Sequence, residues 1–208
     1  HIGIRTYISD GEACLVQIKD NICREITLDE IQAIVATHCR LAGLEIKYAL
    51  DASAKRLFEL KVIKQVKNIV LDIAKDAKNL CRLFFKNGYI EITPGNISEL
   101  KSYKTLKNPI WRSQIVNGTY TQVSKEKSRE AIFEAFTRKI IANEKDYTAF
   151  CSAQAYLIHS YKSMARPCAV IATDAYNENK PGAGGRNGKG TFFKKAVSVF
   201  IKVSGLRD

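Results

Sequence analysis

A glycine-rich stretch with one lysine near its end is the part of this sequence best suited to chemistry. It reads Pro181-Gly-Ala-Gly-Gly-Arg-Asn-Gly-Lys-Gly-Thr191 and is followed by an amphipathic helical pattern over Phe192–Phe200. Glycines let successive backbone N–H groups turn toward one anion, and the N-terminus of a following helix adds positive potential. The stretch therefore predicts a phosphate-binding loop in which Lys189 reaches the outer phosphates of a nucleotide.

Two positions of this loop differ from the usual Walker A spacing. That spacing has a glycine five residues before Gly188 and a Ser or Thr magnesium ligand directly after the lysine. Ala183 stands at the first position and Gly190 at the second, with Thr191 one place later. The alternative to phosphate binding is a Gly/Asn-rich surface loop in which the lysine is incidental.

The residues before the loop favour the phosphate-binding interpretation. Cys168-Ala-Val-Ile-Ala-Thr173 is a short apolar run, partly β-branched, as in a buried strand of a parallel sheet. A strand, a loop and a helix in that order is the context that such a loop requires.

Composition narrows the class of protein. The chain has 208 residues, of which 46% are hydrophobic, so it can bury a core. Its formal charge of +12 favours polyanionic partners, nucleic acid first. Six scattered cysteines without a C-x-x-C pair predict thiols in a reducing compartment, the cytoplasm, and no apolar run suits a membrane span. A chain that starts at His1 suggests a fragment of something longer.

The first 48 residues predict a small α/β piece. Ser9-Asp-Gly11 is a turn signal between two apolar runs, Ile2–Ile8 and Ala13–Ile18, and predicts a hairpin. Thr27-Leu-Asp-Glu30 is a capping box that opens a helix.

Residues 53 to 87 show the longest helical periodicity, with an apolar residue every three or four positions up to Phe84. Five basic side chains fall largely on another face of this predicted helix and could follow a nucleic-acid backbone: Lys64, Lys67, Lys75, Lys78 and Arg82. A solvated lysine face explains them equally well. Asn87-Gly88 stops the helix, and a Pro94-Gly-Asn96 turn then predicts a β-hairpin.

The third region begins near Ser128. Its apolar spacing predicts one helix around Ala131–Ile140 and a second from Tyr147 to Tyr161. The predicted division is therefore an N-terminal α+β region over 1–127 and a helical linker with the beginning of a P-loop domain over 128–208. The predicted fold class is α/β.

Several blocks of the sequence resemble a known family. Phe85-Lys-Asn-Gly88, Asn108-Pro-Ile-Trp-Arg-Ser-Gln-Ile-Val116 and Ala155-Tyr-Leu-Ile-His-Ser-Tyr-Lys162 resemble the region upstream of the ATPase core in phage and mobile-element primase-helicases. These proteins are similar to the poxvirus-type superfamily III helicases. The loop Gly184-Gly-Arg-Asn-Gly-Lys-Gly-Thr-Phe192 resembles their Walker A motif, and the likeness covers roughly residues 80 to 200.

The resemblance implies a fragment of a replicative DNA helicase or primase-helicase that couples ATP hydrolysis to DNA unwinding as a ring, commonly a hexamer. It implies that Lys189 contacts the β- and γ-phosphates of ATP and that Thr191 holds Mg²⁺. The nucleotide-binding residues would be Gly184, Gly185, Arg186, Asn187, Gly188, Lys189, Gly190 and Thr191.

Catalytic residues cannot be assigned from this sequence. No acidic Walker B strand, sensor asparagine or arginine finger is identifiable after the loop, and hydrolysis needs such groups. We therefore expect this fragment alone to be inactive as an ATPase. The alternative is a nucleic-acid-binding or oligomerisation module without NTPase activity; a P-loop kinase or transferase is disfavoured by the long basic region ahead of the loop.

Overall fold

The computed structural model describes residues 3–9, 12–42, 56, 59, 68–124, 127, 131–141, 143–165, 168–171 and 192. These residues form a mixed α/β structure with two small sheets and three helices. The strands are β1 (Ile4–Ser9), β2 (Glu12–Lys19), β3 (Ile22–Glu25), β4 (Asn68–Ile69), β5 (Cys81–Phe85), β6 (Gly88–Thr93), β7 (Asn96–Ile97) and β8 (Ile110–Trp111). The helices are α1 (Leu28–Leu41), α2 (Ile132–Ile140) and α3 (Glu144–Ile158).

The chain forms two compact units. The first unit comprises residues 1–74 and 102–115, and the second unit comprises residues 75–101 and 116–208. The division at residue 127 that the sequence suggests stays a prediction.

The first unit is built on a five-stranded sheet in the order β4-β1-β2-β3-β8. β1 and β2 pair antiparallel, which confirms the predicted hairpin, and β3 continues the meander. Val16, Cys23 and Ile110 are fully buried at its centre. Burial of such side chains is the main stabilising contribution to a small sheet of this kind.

The predicted capping box is present and begins α1. The Thr27 hydroxyl accepts from the Glu30 backbone N–H, and the Glu30 carboxylate accepts from the Thr27 N–H. Because two donors at the helix start are satisfied reciprocally, the helix begins at a defined residue. Ile31 then packs with Ile26 in a buried cluster.

The turn between β2 and β3 hydrogen-bonds to residues 103–110, which are distant in the chain. Asp20 and Asn21 adopt positive φ values of 51° and 61°, a conformation that Asp and Asn tolerate better than most residues. The Asn21 side chain donates to the backbone oxygens of Tyr103 and Leu106. Its own carbonyl accepts from the Ile110 N–H at 2.9 Å, which sets β8 beside β3.

The second unit contains the three-stranded antiparallel sheet β5-β6-β7. The hairpin predicted at Pro94-Gly-Asn96 is confirmed, with Gly95 at φ +80° in the turn between β6 and β7. β5 and β6 meet at Lys86-Asn87, where Phe85 pairs with Gly88.

The helix predicted over residues 53 to 87 is wrong for its described C-terminal part. Asn68–Ile69 is a strand, residues 70–76 have no regular structure, and Cys81–Phe85 is the strand β5. Asn87-Gly88, interpreted as a helix stop, lies instead at the β5–β6 hairpin, where Asn87 is in the turn and Gly88 begins β6. β5 is paired with β6 on one side, while Phe84 and Lys86 bond to residues 116–118. These long-range hydrogen bonds outweigh the local helical periodicity.

The two predicted helices of the third region are confirmed as α2 and α3. The Asn143 side chain accepts from the Lys145 N–H and caps α3. The helix ends at Ile158 and His159 is extended, so the predicted continuation to Tyr161 is wrong. Among the described residues, no helix is long and apolar enough to cross a membrane.

The strand predicted at Cys168–Thr173 is not formed over its described part, residues 168–171. Ile171 is 81% exposed there. A parallel strand needs a neighbouring strand to satisfy its backbone groups, and the described residues provide none at this place.

Candidate functional site: the Asp76, Cys81 and His159 cluster

Three side chains able to bind a metal meet in the second unit. One ligand atom each of Asp76, Cys81 and His159 lies within 4.8 Å of the other two. Asp76 precedes β5, Cys81 is its first residue, and His159 directly follows α3. His159 Nε2 is 4.0 Å from Asp76 Oδ2. We call these three residues the donor cluster.

The Asp76 carboxylate is almost fully enclosed. Its side chain is 6% exposed. Oδ1 accepts from the Arg82 backbone N–H at 2.8 Å, and Oδ2 accepts from the backbone N–H and the hydroxyl of Ser160 at 2.9 and 2.8 Å. Asp76 therefore links the start of β5 to the chain that leaves α3.

Cys81 is not set up as a nucleophile. Burial raises the pKa of its thiol to about 11, and the nearby Asp76 carboxylate adds to the rise. The thiolate is the reactive form of cysteine, so a protonated thiol is inert. His159 Nε2 also lies 3.1 Å from the Leu80 carbonyl oxygen, a backbone partner rather than a thiol. The trio thus differs from a Cys–His–Asp catalytic arrangement.

Lys162 fixes the chain segment that carries His159. Its ammonium group donates to the backbone oxygens of Tyr156 and His159 and lies 4.0 Å above the Tyr156 ring. Burial lowers the pKa of Lys162, while Asp76 and Cys81 act in the opposite direction. Lys162 is therefore a cation close to the donor cluster.

A groove of about 560 Å³ lies beside the donor cluster in the same unit. Cys81 and His159 form part of its wall, and apolar side chains such as Leu83, Ile92 and Ile158 form much of the rest. A small molecule or ion can reach the cluster along this groove.

The predicted nucleotide-binding residues, Gly184 to Thr191, lie outside the described residues. The next residue, Phe192, is described and is 9% exposed. Its ring centroid is 4.5 Å from that of Phe150 on α3 and 6.5 Å from that of Phe133 on α2. The residue directly after the predicted loop is therefore packed against both helices.

The predicted nucleic-acid residues do not share one helix face. Lys64 and Lys67 lie outside the described residues, and Lys75 and Lys78 are exposed near the start of β5. Arg82 is half-buried, with its guanidinium 3.0 Å from the Glu91 carboxylate. Hydrogen bonds from Lys101 and Arg82 lower the pKa of Glu91, which keeps the carboxylate charged. Arg82 therefore acts as a structural ion-pair partner in the sheet.

The donor cluster is not evident from sequence reasoning. The one adjacent His/Cys pair in the chain is His38-Cys39, whereas His159 and Cys81 are 78 positions apart. The usable signal in the sequence is the dipeptide Asn87-Gly88, which is frequent at β-hairpins and would indicate a strand rather than a helix for the residues before it, Cys81 included.

Comparison with protein-family models, curated proteins and solved structures finds no match to this chain.

Proposed function

We propose that this chain belongs to an ATP-dependent replicative DNA helicase or primase-helicase, and that Gly184–Thr191 binds ATP with Mg²⁺. The observation that carries the proposal is Lys189 within a glycine-rich loop that ends at the buried residue Phe192. In this proposal the protein acts on single-stranded or forked DNA as a ring, commonly of six subunits. A cytoplasmic location belongs to the same proposal and rests on the scattered cysteines.

The packing of Phe192 supports a nucleotide-binding role for the loop before it. A phosphate-binding loop works by holding backbone N–H groups and a lysine at fixed positions around an anion. Phe192, the residue directly after the predicted loop, packs on Phe150 and Phe133. A packed residue at one end of a binding segment reduces the conformational entropy that ligand binding costs, which is the support that Phe192 gives to this proposal.

The charge of the chain supports a polyanionic partner. The formal charge is +12, and Lys75 and Lys78 are exposed close together before β5. Arg82 is half-buried and its guanidinium pairs with Glu91, a carboxylate that Lys101 shares, so its side chain is less accessible to a DNA backbone than those of Lys75 and Lys78. The DNA contacts proposed for the described residues are therefore Lys75 and Lys78.

Lys189→Ala in the full-length protein is expected to weaken ATP binding about 10- to 100-fold. The change removes a charge-assisted contact to the phosphates, worth about 1.5–3 kcal/mol. Titration with a fluorescent ATP analogue in the presence of Mg²⁺ measures the dissociation constant.

Lys195→Ala is the matched control for Lys189→Ala, since it removes the same charge six residues later in the chain. The control should bind the analogue as the parent protein does. Equal affinity of the parent and Lys189→Ala would remove the basis for an ATP-binding loop. If the parent itself binds DNA and never ATP, the chain is instead a nucleic-acid-binding module without NTPase activity.

Replacing both Lys75 and Lys78 by glutamate is expected to weaken binding to single-stranded DNA and to flatten its salt dependence. Each lost phosphate contact lowers the slope of log K against log salt by about 0.7. Fluorescence anisotropy with a labelled oligonucleotide across a salt series gives the slope.

Lys19→Glu serves as the control for this pair, because Lys19 is also exposed but lies on β2 in the first unit. Its single substitution should change the slope less than the Lys75 and Lys78 pair does. An unchanged slope in the double variant would mean that DNA does not contact this segment.

A further inference from the structure

We propose that the donor cluster of Asp76, Cys81 and His159 binds one divalent transition-metal ion, with Zn²⁺ as the best match. This site is separate from the proposed ATP site, whose Mg²⁺ would be held by Thr191 and phosphate oxygens.

The donor types select the class of metal. The cluster offers one sulfur, one imidazole nitrogen and one carboxylate oxygen. Mg²⁺ and Ca²⁺ take oxygen donors almost entirely, whereas Zn²⁺ binds Cys, His and Asp together in four-coordinate sites. A thiolate and an imidazole in one site therefore favour Zn²⁺ or Co²⁺ over the hard cations.

The distances are close to those of a bound site. Zn²⁺ bonds of about 2.0–2.3 Å place the donor atoms of a tetrahedral site roughly 3.3–3.8 Å apart. His159 Nε2 and Asp76 Oδ2 are 4.0 Å apart, and all three ligand atoms lie within 4.8 Å of one another. Shifts of about 1 Å or less, within the range of side-chain rotation, bring them to bonding positions.

The surroundings of Asp76 match the outer shell of a metal site. A carboxylate has about four acceptor positions. Two positions, on Oδ2, are used by the backbone N–H and the hydroxyl of Ser160, and one, on Oδ1, by the Arg82 N–H, so the position left for an ion is on Oδ1. The Cys81 thiol lies within 4.8 Å of this carboxylate.

The ion would replace the thiol proton of Cys81, which passes to solvent. It would also replace the Nε2 proton that His159 directs at the Leu80 carbonyl, so the neutral ring would carry its proton on Nδ1. The three hydrogen bonds from Arg82 and Ser160 keep the carboxylate oriented.

The charge of the donor cluster and its access to solvent also suit a divalent ion. The carboxylate and the thiolate carry two negative charges, so the bound ion leaves no net positive charge against the neighbouring Lys162. Cys81 and His159 border the groove, which provides a path for the ion. The fourth position falls to a water from the groove or to the Leu80 carbonyl oxygen, 3.1 Å from His159 Nε2.

Cobalt titration of the full chain, after treatment with a chelator, tests the proposal. A thiolate bound to Co²⁺ gives a charge-transfer absorption in the near ultraviolet, and a four-coordinate site gives d–d bands in the visible. We expect saturation at one Co²⁺ per chain and displacement by Zn²⁺. Cys81→Ser should abolish the charge-transfer band. His159→Gln should weaken Co²⁺ affinity at least about tenfold, the lower limit found for loss of an outer-shell partner.

Cys151→Ser is the matched control, because Cys151 lines the same groove but is not part of the donor cluster. It should keep the full spectrum, as should Lys189→Ala, which separates this site from the proposed ATP site. Absence of the charge-transfer band in the parent chain, or its persistence in Cys81→Ser, would overturn the proposal. The parent spectrum decides this even if a variant fails to fold.

Discussion

Replacing Gly88 by alanine is expected to lower the free energy of unfolding of the second unit by about 2–5 kcal/mol. Gly88 has a φ of +145°, a backbone conformation open almost only to glycine, which costs another residue about 1–3 kcal/mol. An added Cβ would also lie 2.4 Å from the Lys101 backbone oxygen and 3.1 Å from the Leu100 side chain. Forcing an atom into such a contact adds about 1–3 kcal/mol.

Neighbouring hydrogen bonds hold the Lys101 carbonyl in place, so it cannot readily move away from an added Cβ at position 88. Tyr89 and Lys101 exchange two backbone hydrogen bonds of 2.9 and 2.8 Å, so the Lys101 carbonyl cannot move without weakening the pair. Urea unfolding followed by circular dichroism, together with amide hydrogen exchange over residues 81–93, measures the loss and locates it.

Gly95→Ala provides the control for Gly88→Ala. Gly95 also has a positive φ, +80°, but an added Cβ would meet nothing within 4 Å. We expect a cost of about 1–2 kcal/mol from backbone conformation alone. The difference between the two variants then reports the contact with Lys101 together with the difference between the two backbone conformations. If both variants lost the same free energy of unfolding, the backbone at Gly88 would have relaxed and the contact with Lys101 would not contribute to the cost.

Asp76→Ala is expected to lower the stability of the second unit by about 2–4 kcal/mol in metal-free buffer. The carboxylate accepts from the Arg82 N–H and from both donors of Ser160. Each buried donor left without a partner costs about 1–3 kcal/mol. The expected loss of stability is smaller than three such costs added together. Ser160 is exposed, so water can hydrogen-bond to its N–H and hydroxyl in place of the carboxylate.

Asp72→Ala is the matched control for Asp76→Ala. Asp72 is exposed, and its carboxylate accepts from the Asn108 side chain at 2.8 Å. Its removal should cost no more than about 0.5–1.5 kcal/mol, an ordinary net value for one hydrogen bond. Faster exchange of the β5 and β6 amides in Asp76→Ala, but not in Asp72→Ala, is the expected pattern. Equal stability of the two variants would contradict the linking role of Asp76.

Local signals in the sequence predicted those elements whose stabilising contacts are near in the chain. The β1–β2 hairpin, the α1 capping box and the Gly95 turn each depend on residues a few positions apart. A turn residue or a cap acts on its own backbone, so its effect can be predicted without knowledge of the fold. α2 and α3 were predicted for the same reason, from helical spacing.

The segments around β5 and residues 168–171 were predicted incorrectly because their state depends on distant partners. β5 shows helical apolar spacing, yet its backbone is bonded to β6 and to residues 116–118. Residues 168–171 have strand-like composition, yet no described strand lies beside them. Short apolar runs suit either state, and the available hydrogen-bond partners decide between them.

The sequence by itself supplied the prediction of phosphate binding by Gly184–Thr191, because the motif is a local run of glycines and one lysine. It also determined the charge of +12 on which the proposed DNA partner rests. The tertiary structure alone decided the donor cluster. Cys81 and His159 are separated by 78 positions and become neighbours only when the end of α3 lies against the start of β5, joined by hydrogen bonds to Asp76. Tertiary packing brings side chains of separate elements together, and a local sequence pattern cannot predict which of them become neighbours.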